Sequence, residues 1–251
     1  MEKKEIQEEI TSLLRNRGVP TIGISASGEV PSVTQGFAPE NILKSARSVI
    51  CYGLPIPKGV VYAESSSLAL YWRYCNMAYR TLDAATNHLC ILLEREGFSS
   101  SPIYACFPWK VVGREFWGLL PLAYWGEQAG LGRLTKCGLL ANPIYGSRIL
   151  VGGLITALDL EPTEKVAHEL CPEGCVDCIK ACPVGAIGAT GKVDHNLCIR
   201  HSTANPLLVH VLADPSMKGN FPFEMMVNTI GVDDHGSYNC FECMRVCPLN
   251  G

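Results

Sequence analysis

The chain has 251 residues, a formal net charge of −3, and 47% apolar against 18% charged residues. That length accommodates one large domain or two modest ones, and the near-neutral charge supplies no electrostatic pull toward nucleic acid or an anionic membrane, so neither is an expected partner. The longest apolar run, Ile149 to Leu158, is far short of the ~18 residues of a membrane span, and the charged start MEKKEIQEEITSLLRNRGV lacks the apolar core of a secretory signal, so a cytoplasmic location is expected.

In chain order, Ile6, Ile10, Leu13 and Leu14 recur at helical spacing, which predicts an amphipathic helix over 3–17 closed by Arg17-Gly18. Pro20 to Ser27 reads as a short strand and 28–41, rich in Gly, Pro and Ser, as loop. The run from Ser48 to Pro55 reads as a buried strand halted by prolines. Ser66 to Gly97 is the longest helical stretch; it is apolar on more than one face, which places it centrally in its domain. Pro102 to Phe107 reads as a strand, Pro108 to Gly118 as a loop over a pocket, and Leu120 to Gln128 as a helix broken at Gly130. Strands are expected at 138–142 and 148–156. Interleaved strands and helices up to about residue 160 predict a mixed α and β domain. Asp159 to Thr163 is the expected joint, giving domains at 1–162 and 163–251. The second is rich in Cys, Pro and Gly, as befits a small unit held by metal.

Thirteen cysteines are present, and eight of them fall between Cys171 and Cys247. In a reducing compartment, clustered cysteines signal metal more often than disulfides. Residues 171–184 read C-P-E-G-C-V-D-C-I-K-A-C-P-V, residues 240–248 read C-F-E-C-M-R-V-C-P, and Cys198 stands between. Cys-x2-Cys-x3-Cys-Pro at each end is the spacing of two-cluster ferredoxins, in which the cysteine before proline ligates the other cluster. That logic assigns Cys171, Cys175, Cys178 and Cys247 to one [4Fe–4S] cluster, and Cys182, Cys198, Cys240 and Cys243 to a second. Two departures stand out: the first gap is Cys171-x3-Cys175, and 41 residues, including the Pro206–Met226 stretch, separate Cys198 from Cys240. Zinc also binds Cys-x2-Cys pairs, but it calls for neither the two Cys-Pro endings nor the x3 gaps.

Residues 129–148 read A-G-L-G-R-L-T-K-C-G-L-L-A-N-P-I-Y-G-S-R. This resembles the signature of the epoxyqueuosine reductase and reductive dehalogenase superfamily, where a similar run precedes a double-cluster domain. P-E-N-I-L-K-S-A-R-S-V-I followed by G-L-P-I-P, L-D-A-A-T in the long helix, and the isolated Cys198 fit the same pattern. The resemblance implies an α+β protein with an N-terminal nitroreductase-like α/β domain and a ferredoxin-like two-cluster domain. It also implies cobalamin as a cofactor, reduced by the nearer cluster, and a donor such as ferredoxin or flavodoxin.

This chain departs from the epoxyqueuosine reductases themselves in having Thr135-Lys136-Cys137 where Gly-Lys-Asn is usual. It also lacks their acidic residue followed by Glu-Arg before the signature, and no proton-donating aspartate can be placed by motif. The sequence is shorter than the tRNA-modifying members, and no trailing repeat domain is expected after Gly251.

Several other residues are candidates. Gly130 and Gly132 either admit a cofactor to the backbone or mark a helix stop and tight turn. Lys136 and Arg148 either contact acidic side groups of a cofactor or are solvated. Tyr124, Tyr145 and Lys110 are candidate proton donors. Cys51, Cys90 and Cys106 read as core residues, as does Cys137 despite its place in the signature. His195 and His201 flank Cys198, where they either tune a cluster or lie in solvent.

The expected function is reduction of a small substrate by electrons relayed through two clusters. The alternatives are an electron carrier that docks partner proteins, and a reductase that activates the corrinoid of a partner protein.

Overall fold

The computed structural model describes residues 2–29, 36–106, 108–112, 115–202 and 240–251. The first helix, α1 (Lys3–Asn16), turns Ile6, Ile10 and Leu14 inward. The Glu5 carboxylate accepts the Glu2 backbone N–H at 2.9 Å and closes its first turn. The strands β1 (Thr21–Ala26), β2 (Ser48–Pro55), β3 (Ser100–Ile103) and β8 (Ile149–Thr156) form an antiparallel sheet in the order β1-β2-β8-β3. The short helix α2 (Lys58–Val61) follows β2, and the long α3 (Ser67–Arg95) runs on to β3.

β2 shows why its sequence carries no alternation. Ile50 and Tyr52 point to one face and pack with α1 and α3; Val49 and Cys51 point to the other and pack with α4 (Leu122–Gln128) through Trp125 and Ala129. A strand covered on both faces reads as a continuous apolar run. Its neighbour β8 divides the same way at Leu154 and Ile155. The result is a sheet between two helical layers, with the Tyr52 and Thr86 hydroxyls hydrogen-bonded inside it.

Two predicted boundaries differ. The strand expected at Pro102–Phe107 runs instead from Ser100 to Ile103, in register with Thr156 to Gly153. It stops there because the next available amide, Ala105 N–H, donates to the Asp83 carboxylate of α3 at 3.0 Å, which draws the chain off the sheet; Phe107 lies outside the described residues. The segment read as a loop at 108–118 is a hairpin, β4 (Trp109–Val112) with β5 (Glu115–Gly118). Val111 lies opposite Phe116 and both are buried. The Pro206–Met226 stretch also lies outside the described residues.

After α4 the chain forms the two-residue pair β6 (Arg133–Leu134) and β7 (Leu140–Ala141), then enters β8. Beyond residue 160 the helices among the described residues are short pieces: α5 (Asp177–Ala181), α6 (His195–Ser202) and α7 (Glu242–Arg245). The last of these is anchored to the first half of the chain. Phe241 stacks on Tyr71 of α3 with ring centroids 4.4 Å apart, and Met244 is buried in the same cluster as Ile56, Val61 and Cys75. No helix among the described residues is long and apolar enough to cross a membrane.

Candidate metal centre

Cys175 sits just before α5, Cys178 lies in its first turn, and Cys182 ends that helix where Pro183 follows. Cys247 precedes a short 3₁₀ turn, Pro248–Asn250. Together, Cys171, Cys175, Cys178 and Cys247 line one small void, closed on its other side by Thr135, Lys136 and Cys137. These are the four cysteines that the spacing groups into one cluster. The other four are also neighbours: Cys198 feels the charges of Cys240 and Cys182, and Cys243 those of Cys198 and Cys240. All thirteen cysteines are free thiols. Among the described residues no three His, Cys, Asp or Glu side chains converge tightly enough for a single metal ion.

Burial, aided by the nearby Cys137, Cys171 and Cys175, pushes the Cys178 thiol up to about 11. Burial likewise raises Cys198, Cys240 and Cys247, the last against a lowering hydrogen bond with Ser147. Thiols crowded out of water resist deprotonation until a cation arrives among them. Backbone and side-chain donors complete the setting: Ala186 N–H donates to the Cys182 sulfur at 3.2 Å, and Lys136 Nζ to the Cys175 carbonyl at 2.6 Å. Cys137 goes the other way, pulled down to about 6 chiefly by a hydrogen bond with Cys243.

The structure also places the remaining predicted residues. Lys136 is part-buried against the cysteine loop. Arg148 is buried, not solvated; its guanidinium donates to the Ile56 carbonyl, and its Nε has no partner among the described residues. Gly130 adopts φ +75°, at the end of α4, and a Cβ there would collide with the Glu164 carbonyl. At Gly132 a Cβ would strike the Ala141 carbonyl across the β6–β7 pair. Packing within the chain therefore accounts for both glycines. Tyr124 lies on α4, 6.2 Å from the Trp117 ring; Lys110 holds its ammonium 5.5 Å from the centroid of Phe37; Tyr145 lies in the 143–146 turn. His195 packs edge-on against Trp117 at 5.9 Å, and His201 is exposed at the end of α6. Cys51 is fully buried in the core, as expected, whereas Cys90 and Cys106 are only partly buried.

Three features escaped the sequence reading. Ser147 and Asn250 brace the second Cys-Pro turn: the Asn250 Oδ1 accepts Ser147 N–H at 2.8 Å, and its Nδ2 donates to the Met244 carbonyl at 2.6 Å. Gly146 belongs to the same brace, since a Cβ there would collide with Asn250 and Leu249. Cys137 stands between the two cysteine groups rather than in an apolar core. Finally, a cavity of about 260 Å³ is lined by Tyr79, Tyr104, Cys106, Trp109, Leu139 and Val151, among others. Its wall at Gly138–Leu140 continues directly into the Thr135–Cys137 wall of the cysteine void. Tyr124, Tyr145 and Lys110 do not line this cavity.

This architecture is the fold of the epoxyqueuosine reductases and reductive dehalogenases. A crystal structure of epoxyqueuosine reductase with a tRNA-Tyr stem loop matches 98% of this chain and 66% of its own at a TM-score of 0.67 and 19% identity. A catabolic reductive dehalogenase matches 97% of this chain and 32% of its own at a TM-score of 0.62 and 16% identity. In sequence, the chain is 27% identical to the epoxyqueuosine reductase of Listeria monocytogenes over 88% of its length, and 42% identical to that of Synechococcus sp. over 50%. It is thus similar to the superfamily that its 129–148 signature resembles. It spans about half the length of the Listeria relative, 53%, and 33% of the Synechococcus one. No family model matches the chain.

Proposed function

We propose that the chain is an iron–sulfur reductase in which two [4Fe–4S] clusters, held within residues 163–251, pass electrons singly to a substrate in the cavity above the signature. The first cluster is assigned to Cys171, Cys175, Cys178 and Cys247; the second to Cys182, Cys198, Cys240 and Cys243. A low-potential donor such as ferredoxin or flavodoxin supplies two electrons per turnover. The observation that carries this reading is the continuity of one short segment: Thr135–Cys137 walls the cysteine void and Gly138–Leu140 walls the cavity. A reducing centre and a reactant site a few residues apart form an electron path without a mobile carrier. The cavity is open rather than filled by side chains, which favours chemistry in this chain over simple docking.

The cavity's lining of Tyr79, Tyr104, Trp109 and aliphatic side chains suits a small, largely apolar substrate. Cobalamin, which the signature's resemblance implies, is a different matter. The described cavity of about 260 Å³ falls below the ~300–1,000 Å³ of sites for drug-sized ligands, and a corrin ring with its side arms is larger still. The described residues alone do not cradle it, and no step here runs through it. The low net charge supplies no pull toward nucleic acid, yet one fold neighbour was solved with a tRNA stem loop. An RNA arm therefore belongs in the substrate test.

The test begins with anaerobic purification, which should give a brown protein with eight irons and eight sulfides per chain. Dithionite should then produce the paramagnetic signals of two interacting clusters. Oxidation of reduced viologen is then followed with small halogenated arenes, small epoxides and an epoxyqueuosine-bearing stem loop, each with and without added cob(II)alamin. Val151→Trp, which fills the cavity, should abolish turnover and leave the iron content unchanged. Turnover that survives it moves the substrate site elsewhere.

A further inference from the structure

The long helix α3 presents two different faces. Tyr71, Cys75, Ala78 and Leu82 are buried, and the first two pack with Phe241 and Met244, on either side of Cys243. Away from that face, Arg73, Asn76, Met77, Arg80 and Thr81 recur at helical spacing. With Arg17 at the end of α1 they line a surface groove of about 430 Å³. No carboxylate lines it, in a chain whose net charge is −3. Asp83, also on α3, is engaged elsewhere: its carboxylate accepts the Ala105 N–H at 3.0 Å. Arg17 is held in place by His88, with its Nη2 2.7 Å from the imidazole Nδ1. Asn76 lines the groove and is only 7% exposed, yet its amide has no hydrogen-bond partner among the described residues. A buried polar group in that condition costs free energy until an incoming group satisfies it. Arg73 is exposed and likewise makes no hydrogen bond or ion pair among the described residues.

We propose that this groove docks the electron donor, a small redox protein with a carboxylate-rich face. The proposal rests on the two-cluster reading above. Charge sets the sign of the occupant, because guanidinium groups pair with carboxylates through two parallel hydrogen bonds. Apolar exposure favours a protein over a free anion. Met77, within the groove, is 53% exposed; Leu70 and Trp72, toward the N-terminal end of the same helix, are 45% and 41% exposed. A lone phosphate or carboxylate would cover none of these side chains. Arg, Met and Trp are residue types enriched at protein interfaces, where Lys, Glu and Asp are depleted.

Position singles out an electron donor among acidic proteins. Tyr71 and the groove lie on opposite sides of one helix, a body ~10–12 Å across with its side chains. The Tyr71 ring stacks on Phe241 at 4.4 Å, and Phe241 stands between Cys240 and Cys243, ligands of the second cluster on the reading above. A donor seated in the groove thus delivers its electron one helix away from that cluster. Electron-transfer encounters bury little surface, under ~1,200 Å², so a compact cationic groove beside a few apolar side chains is sufficient footing. Its charges speed the encounter more than they tighten the complex, which suits a donor that must leave after each electron.

The test follows bleaching of the clusters by stopped flow, with a reduced acidic flavodoxin as protein donor and reduced methyl viologen as a small donor that needs no docking. Arg73→Glu and Met77→Glu each place a carboxylate in the groove, and either serves if the other fails to accumulate. Arg73→Lys keeps the charge. Lys4→Glu, on α1 and outside the groove, changes the net charge as much as Arg73→Glu does. At low salt the flavodoxin rate should fall about tenfold or more in both Glu variants of the groove, with the viologen rate unchanged. Arg73→Lys and Lys4→Glu should stay near wild type. Added salt should slow the wild-type reaction with flavodoxin and slow Arg73→Glu much less. Flavodoxin rates equal to wild type in both groove variants overturn the proposal. So does an equal loss in Lys4→Glu, which would make net charge rather than the groove the cause. Variants that keep the flavodoxin rate but no longer bind an epoxyqueuosine-bearing stem loop would give the groove to nucleic acid and also overturn it. A wild-type protein with no cluster absorbance for viologen to bleach refutes the underlying reading instead, a failure seen before any variant is made.

Discussion

Asn250→Ala tests whether the brace behind Cys247 holds the metal centre together. Asn250 is 1% exposed, and its amide makes three contacts: Ser147 N–H at 2.8 Å, Ser147 Oγ at 3.2 Å, and the Met244 carbonyl at 2.6 Å. The Ser147 hydroxyl can turn to Cys247, with which it already shares a hydrogen bond, so its loss counts for little. The Met244 carbonyl keeps the Cys247 N–H at 3.1 Å, but the backbone N–H of Ser147 has no such recourse. Leaving that buried group unpaired costs ~1–3 kcal/mol, an appreciable share of the ~5–15 kcal/mol that holds an ordinary domain together. The damage falls on the turn next to Cys247 and on α7, which carries Cys243. Loss of iron during desalting and a lower midpoint for thermal bleaching of the cluster absorbance are therefore expected together. Ile144→Ala is the control, because Ile144 is 77% exposed and such surface changes stay within ~0.5 kcal/mol. If Asn250→Ala keeps its full iron and bleaches at the wild-type temperature, the brace is irrelevant to the centre and the argument fails.

Phe241→Ala removes the ring stacked on Tyr71 and should cost ~3–5 kcal/mol by the usual large-to-small penalty, read as a lower unfolding midpoint by circular dichroism. Gly132→Ala drives a Cβ into the Ala141 carbonyl, a backbone contact that cannot yield cheaply; soluble yield should collapse, and normal yield would show that the β6–β7 pair can shift. Lys136→Met removes a positive charge beside the cysteine loop and should move the midpoint of the Cys171 cluster in the negative direction, with iron unchanged. Asp83 is raised above the ordinary carboxylate range by burial, against a hydrogen bond from Ala105. Its folded state holds the proton more tightly than the unfolded chain, so its favourable contribution is complete below about pH 4 and is lost as pH rises through that range. Asp83→Asn should accordingly raise the thermal midpoint at pH 7 and lose that advantage near pH 3; an advantage independent of pH would contradict the assignment.

The parts of the fold legible in the sequence are those where one physical pattern dominates. The helical spacing of Ile6, Ile10 and Leu14 and the unbroken run from Ser48 to Pro55 match α1 and β2 closely. The hairpin at Trp109–Gly118 was lost because its sequence mixes aromatic and charged residues, and mixed composition reads as loop. Yet Val111 and Phe116 opposite each other, with Gly113-Arg114 between the strands, held the signal. Cys171, Cys175 and Cys178 share one void because their spacing is local, whereas Cys247 reaches it from far along the chain. The bracing by Asn250 and Ser147 was not legible, since the two lie 103 residues apart and nothing in either stretch announces the other.

That long-range bracing changes how the two parts of the chain relate. A cysteine-rich segment of short helices reads as a self-sufficient metal unit, because metal ligation substitutes for a core. Here the cysteine loops lean on residues far from them in sequence. Lys136 holds the Cys175 carbonyl, Ser147 holds Asn250 behind Cys247, and Tyr71 carries Phe241 between Cys240 and Cys243. Each cysteine run is thus pinned by residues of the 1–162 segment at a point within three residues of a thiol. A rigid setting of this kind keeps sulfur positions fixed when an electron arrives, which lowers the reorganisation that accompanies transfer. It follows that residues 163–251 expressed alone should bind iron weakly even though every assigned ligand is present. Eight tightly held irons in that fragment would show that residues 1–162 contribute nothing to the metal centre.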